Sequence, residues 1–114
     1  MTKLDTAVFT GRSGREYEFR IYVWENEFIP SPAVYVVTER TIEPGQAPAY
    51  RPLYVSQTPD ISRVFENHPK NDCFQLHYAN TIAVIPEADE TERVRIEEDL
   101  IAALQPPCNT HESY

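Results

Sequence analysis

The 114-residue sequence is short of several things, and each shortage excludes a class of protein. Cysteine occurs twice, at Cys73 and Cys108, too few for the disulfide framework of a small secreted scaffold and without the paired spacing of a structural metal site. Two reduced, partly buried thiols are the expectation. No apolar run approaches the ~20 residues of a membrane span. The opening stretch, "MTKLDTAVFTG", lacks the apolar core of a signal peptide, so a cytoplasmic location is expected. Positive charge is also scarce, with 10 Lys and Arg against 18 Asp and Glu and a net charge of -8. Affinity for nucleic acid comes largely from neutralising phosphates, so any such role needs a local basic patch. One asymmetry leaves room for it: Arg12, Arg15, Arg20, Arg40, Arg51, Arg63 and Lys70 precede a segment, 87 to 99, that sets seven carboxylates against Arg93 and Arg95.

What is present reads as one domain with a modest core, at 41% hydrophobic and 25% charged residues. "TAVFTGRSGREYEFRIYVWENEF" has the pattern of a hairpin, turning through Gly11 to Gly14 into an alternation of Tyr17, Phe19, Ile21 and Val23. "IPSP" breaks it, "AVYVVTER" is the next strand, and "RPLYVSQT" its antiparallel partner. Thr58, Pro59 and Asp60 then signal a helix start, with Ile61, Val64 and Phe65 on its apolar face and His68 one turn beyond Val64. "PKNDCFQLHYAN" reads as a loop with one helical turn, "TIAVIP" as a short buried strand, and Asp89 to Leu104 as a helix stopped by Pro106 and Pro107. The order strands, helix, strand, helix predicts an α+β fold with helices flanking a mostly antiparallel sheet. The expected organisation is an N-terminal hairpin in residues 1–32, a core in 33–109 and a disordered tail in 110–114.

Four residues stand out by position. Val94, Glu97, Ile101 and Leu104 follow a 3, 4, 3 spacing, which sets Glu97 in an apolar stripe while Glu98 and Asp99 turn to solvent. A buried carboxylate must be paired, protonated or bound to a cation. An ion pair at the edge of the core and a metal or catalytic role are both open to it. Tyr35 and Tyr54 lie on neighbouring strands, Tyr35 sharing a face with Ala33 and Val37, and Tyr54 opposing Leu53 and Val55. Each tyrosine alone is an ordinary packing residue, and His68 alone an ordinary helix-end residue. Together with Glu97 they form a candidate site.

In this arrangement the sequence resembles the GIY-YIG nuclease superfamily, as a small standalone bacterial single-domain member. "AVY" at 33–35 and "YVS" at 54–56 stand at the two signature tripeptides, and "YVSQTPDISRVFENH" is similar to the strand, turn and first helix. "IEEDLIAALQPPCN" is similar to the terminal segment, placing Glu97 at the metal ligand and Asn109 after the proline stop. The resemblance spans residues 33 to 109. It implies a three-stranded central sheet flanked by helices, and hydrolysis of a DNA phosphodiester with one Mg²⁺ or Mn²⁺ held by Glu97. Tyr35 or Tyr54 would activate water, with His68 and Asn109 completing the set. Two features depart from the pattern. Ala33 and Ser56 replace the signature glycines, and the arginine expected ten residues after the second signature tyrosine is Val64, with Arg63 one residue early. One residue is about 100° of helical rotation, so Arg63 is expected to point away. A preorganised charge donor is worth about 10²- to 10³-fold in rate. The reading that follows is a domain with impaired or absent endonuclease activity that binds DNA or a protein partner. The alternatives are an active nuclease using Arg63, Arg51 or Lys70 as a displaced cation, and an acidic interaction or inhibitor protein.

Overall fold

The computed structural model describes residues 3 to 109. The expected disordered tail, 110–114, lies outside them. Five strands form one antiparallel sheet: β1 (Asp5–Thr10), β2 (Glu16–Val23), β3 (Ala33–Thr41), β4 (Ala49–Thr58) and β5 (Thr81–Pro86). Their spatial order is β1-β2-β5-β3-β4, so the last strand in sequence slots between the two hairpins. The N-terminal hairpin is thereby continuous with the rest of the sheet through β2–β5 pairing, Arg20 opposite Val84 to Val23 opposite Thr81.

Alternation along the strands loads both faces of the sheet with apolar side chains. One face carries Phe9, Phe19, Ile21, Val34, Val36, Val55 and Ala83 under Ile96 and Leu100 of the long helix. The other carries Ala33, Tyr35, Val37, Ile82 and Val84 under Ile61, Phe74 and Cys108. A β-bulge between Val37 and Thr38 shifts the register of β4, and Leu53 and Tyr54 consequently join the same core cluster. The expectation that Leu53 opposes Tyr54 is corrected by this extra residue.

The long helix runs Glu90–Leu104. The Thr91 N–H donates to the Asp89 side chain at its start, and Gln105 adopts a left-handed conformation (φ 45°) at its end, ahead of Pro106. Its buried line is Arg93, Ile96 and Leu100, with Glu97, Ile101 and Leu104 half-buried beside it. The stripe read from the sequence is therefore one flank of the true one. Arg93 was masked by its charge: the guanidinium is buried and donates to the carbonyls of Glu87 and Ala88 and to Gln57 Oε1. Asp99 does not turn to solvent either. It accepts from the Ser13 N–H at 2.8 Å and from the Ser13 and Tyr17 hydroxyls at 2.7 Å each, tying the β1–β2 turn to the helix.

The first helix expected after Pro59 is reduced to a single 3-10 turn, Ile61–Arg63, capped by Asp60 rather than Thr58. Asn67 at φ 54° and the restriction that Pro69 places on His68 stop it from lengthening. A six-residue helix, Asn71–Leu76, follows. The 71–76 and 90–104 helices are α1 and α2. Cys73 of α1 and Cys108 form a disulfide, with Cα atoms 5.9 Å apart. This overturns the expectation of two free thiols: the fold brings the two segments within bridging distance, a fact that a separation of 35 residues conceals.

Candidate functional site

Tyr35 enters the site from β3 and Tyr54 from β4. Register sets Tyr35 directly opposite Ser56, which puts the two tyrosines and Ser56 on one surface of adjacent strands. The tyrosine ring centroids are 6.2 Å apart. His68 arrives from the loop after the 3-10 turn, its ring 5.3 Å from that of Tyr54 and 5.0 Å from that of Phe74. Phe65 stacks on the imidazole, completing an aromatic wall around it.

The hydrogen bonds of His68 fix its tautomer. The Lys70 N–H donates to Nδ1 at 3.0 Å, so that nitrogen carries a lone pair and the proton of the neutral ring sits on Nε2. Nε2–H then donates to the Tyr35 hydroxyl oxygen at 3.1 Å. Burial holds the His68 pKa below its ordinary value, with the Lys70 charge adding to the effect, which keeps the ring neutral. Burial likewise pushes the Tyr35 pKa up, helped by Tyr54 and Glu97 and opposed by the Ser56 hydroxyl. Tyr35 is thus a phenol oriented by an imidazole. With its oxygen already accepting from His68, its own O–H is available to donate.

Glu97 reaches the site from the other side of the sheet. Its helix packs over the edge strand β4, and its carboxylate faces the Ser56 hydroxyl and the Gln57 N–H. Burial raises its pKa, those two donors pull it back, and the charge of Glu98 raises it again. Among the described residues the ion pairs are Arg51–Glu39 and Arg95–Glu92, and Glu97 belongs to neither. An ion pair at the core edge therefore does not account for its position. A half-buried carboxylate without a cation, beside a serine hydroxyl and within electrostatic reach of a phenol, is an all-oxygen donor set. Such a set suits a hard divalent cation that keeps several of its waters.

Asn109 lies along the same edge. Its Oδ1 accepts from the Val55 N–H at 2.7 Å and its Nδ2 donates to the Val55 carbonyl at 2.9 Å, while the Cys108 N–H donates to the Leu53 carbonyl. The Asn109 amide thus clips the outer face of β4 between Tyr54 and Ser56. Arg63 is exposed on the 3-10 turn, and the charge it influences there is Asp60. Val64 is half-buried against the core cluster that contains Tyr35. Arg51 is committed to Glu39 and His77.

Two clefts, of 360 and 420 Å³, open near Phe28 and Ile61, and neither is lined by Tyr35, Tyr54, His68 or Glu97. The cluster lies along the β4 edge of the sheet. Reading the sequence for chemistry found Tyr35, Tyr54, His68 and Glu97 but gave Ser56 no role, and it named Lys70 only as a displaced cation, whereas here its backbone N–H fixes the His68 tautomer. Ser56 was visible only as a replaced glycine, although its position opposite Tyr35 was implied by the hairpin.

Fold and site together define an α+β domain with a five-stranded antiparallel sheet and a polar cluster at one edge. Comparison with protein-family models, with curated proteins and with solved structures found no match. The likeness to the GIY-YIG superfamily therefore rests on the residues quoted for it.

Proposed function

We propose that this is a GIY-YIG-like domain that binds DNA or a protein partner through the β4 edge and has little or no endonuclease activity. The single observation that carries the reading is the missing cation. Tyr35 and Glu97 both face Ser56, with Tyr54 and His68 packed beside Tyr35, yet Arg63, the candidate replacement guanidinium, is exposed beside Asp60, and Val64 at the expected position packs into the core. Glu97, with Ser56 beside it, would hold Mg²⁺ or Mn²⁺, which supplies Lewis-acid polarisation of a phosphate oxygen when bound. Tyr35 with its raised pKa is a proton donor and not a base until a cation is nearby. Asn109 acts by positioning β4, since both polar atoms of its amide are engaged by Val55.

The second reading, an active nuclease with a displaced arginine, is favoured by the His68–Tyr35 hydrogen bond, an ordered arrangement that a purely structural site does not require. Cleavage assays with Mg²⁺ or Mn²⁺ separate the two. The wild type is expected to bind DNA in gel-shift assays or to leave it to a protein partner, cutting little in either case. Val64→Arg should raise cleavage by about tenfold or more, and Arg63→Ala should change nothing. Efficient cutting by the wild type, abolished in Arg63→Ala, would establish the active-nuclease reading instead. Thermal melts accompany the assay, because a guanidinium placed among Ile61 and Phe65 can cost several kcal/mol. A folded but inactive Val64→Arg protein counts against the proposal.

A further inference from the structure

The fold builds a second polar cluster away from the β4 edge. Cys73 lies within α1 and His77, four residues on, caps its C-terminal end, with the His77 N–H donating to the Cys73 carbonyl, so their side chains share a face. Cys108 comes from the turn after α2. The two sulfurs and an imidazole nitrogen of His77 all lie within 4.8 Å of one another. Ligands on a tetrahedral zinc ion, at about 2.3 Å for sulfur and 2.0–2.1 Å for nitrogen, stand about 3.5–3.8 Å apart, so the two sulfurs, bonded to each other here, must part before the three groups can enclose one.

Each segment is held in place without the disulfide. The Cys108 N–H donates to the Leu53 carbonyl at 2.8 Å, and the next residue, Asn109, clips Val55. Phe74, next to Cys73, is buried in the core and anchors α1. Opening the sulfur–sulfur bond therefore leaves two thiols facing each other across a fixed gap. His77 is also prepared: Arg51 Nη2 donates to its Nδ1 at 3.3 Å, and since arginine is always a donor, Nδ1 carries a lone pair. Arg51 keeps its bond to Glu39 when it gives up His77.

The geometry points to a redox-gated site for a soft divalent cation, Zn²⁺, made of Cys73, Cys108 and His77. A two-electron reductant, a dithiol or a phosphine with water, adds two electrons and two protons to the disulfide. It is itself oxidised to a disulfide or a phosphine oxide. Zn²⁺ then displaces both thiol protons and binds two thiolates and an imidazole nitrogen of His77, with water in the fourth position. Thiolates select zinc over the magnesium suited to Glu97, so the two sites differ in chemistry, and this one stands whether or not the β4 edge binds a metal.

The test uses the complete chain, oxidised and after reduction with a phosphine, titrated with Zn²⁺ against a chromophoric chelator and with Co²⁺ by absorption. The reduced protein should take up one equivalent of Zn²⁺, and its Co²⁺ form should give thiolate charge-transfer and tetrahedral bands. The oxidised protein should do neither. Loss of a ligand should weaken Zn²⁺ at least about tenfold, the range seen when even outer partners of a site are removed. Cys73→Ser and His77→Ala supply that comparison, and His77→Ala leaves the disulfide intact for a check of folding. If reduction loosens the fold, Zn²⁺ should restore its melting transition. Reduced protein that binds no Zn²⁺, binding equal in both redox forms, or affinity unchanged in Cys73→Ser and His77→Ala would each overturn the assignment.

Discussion

His68 receives one hydrogen bond at Nδ1 and gives another from Nε2, and both require the neutral ring. Its folded pKa lies below the 6.5 of a free imidazole, so between the two values the unfolded chain binds a proton that the native state refuses. Stability contributed by the neutral ring is therefore present above pH 6.5 and is lost as pH falls from there through the lowered folded pKa. Melting temperatures measured from pH 7.5 to 4.5 should show this fall in the wild type, and His68→Gln should lack that component. Parallel curves for the two proteins would mean that His68 titrates normally and that its bond to Tyr35 is not maintained. At this scale much of the site was legible. Strand alternation set Tyr35 and Tyr54 on neighbouring strands, whereas His68 was placed on a helix that the structure replaces with a 3-10 turn and loop. Glu97 was found through a slipped stripe, because Arg93 reads as a surface residue until its guanidinium is seen satisfied by two carbonyls and an amide oxygen.

Elements were read with more success where periodicity is long. β1 to β4 follow from their strand patterns, β5 from a continuous apolar run, and α2 from a 3.6-residue repeat bounded by Asp89 and Pro106. The helix after Pro59 failed because a stretch between two prolines is too short to repay nucleation, and tertiary contacts of Ile61, Phe65 and His68 hold the chain in turns instead. The joint between α2 and the first hairpin was invisible to periodicity, since it depends on Asp99 reaching a turn 86 residues away. Gly11 marks that joint: a Cβ there would collide with the Asp99 carboxylate. Gly11→Ala should destabilise the fold by about 1–3 kcal/mol, the usual effect of overpacking. Chemical denaturation of Gly11→Ala, Asp99→Ala and the double variant checks it, and the double should lose less than the sum of the singles. Additive losses would show that the two residues do not share the space.

For the whole molecule, the disulfide and the β4 clip act together. Cys73–Cys108 closes a loop of 35 residues, and chain entropy sets the stabilisation of such a crosslink at about 3–4 kcal/mol. Denaturant unfolding of metal-free protein, with and without a phosphine reductant, should differ by that amount, and no difference would mean that the bridge only records proximity. The described helices include none long and apolar enough to cross a membrane. The net charge of -8 works against nonspecific attraction to polyanions and in favour of cations, so metal binding must be localised before it means anything. The direct test of the central claim, that Glu97 and the tyrosine–histidine cluster form one cation site, is Mn²⁺ titration of the complete oxidised chain followed by ¹H–¹⁵N NMR. Paramagnetic broadening should centre on Ser56, Gln57 and Glu97, spread next to Tyr35, and vanish in Glu97→Gln. Broadening that follows the exposed carboxylates of α2, such as Glu90 and Glu98, and is the same in Glu97→Gln would contradict it.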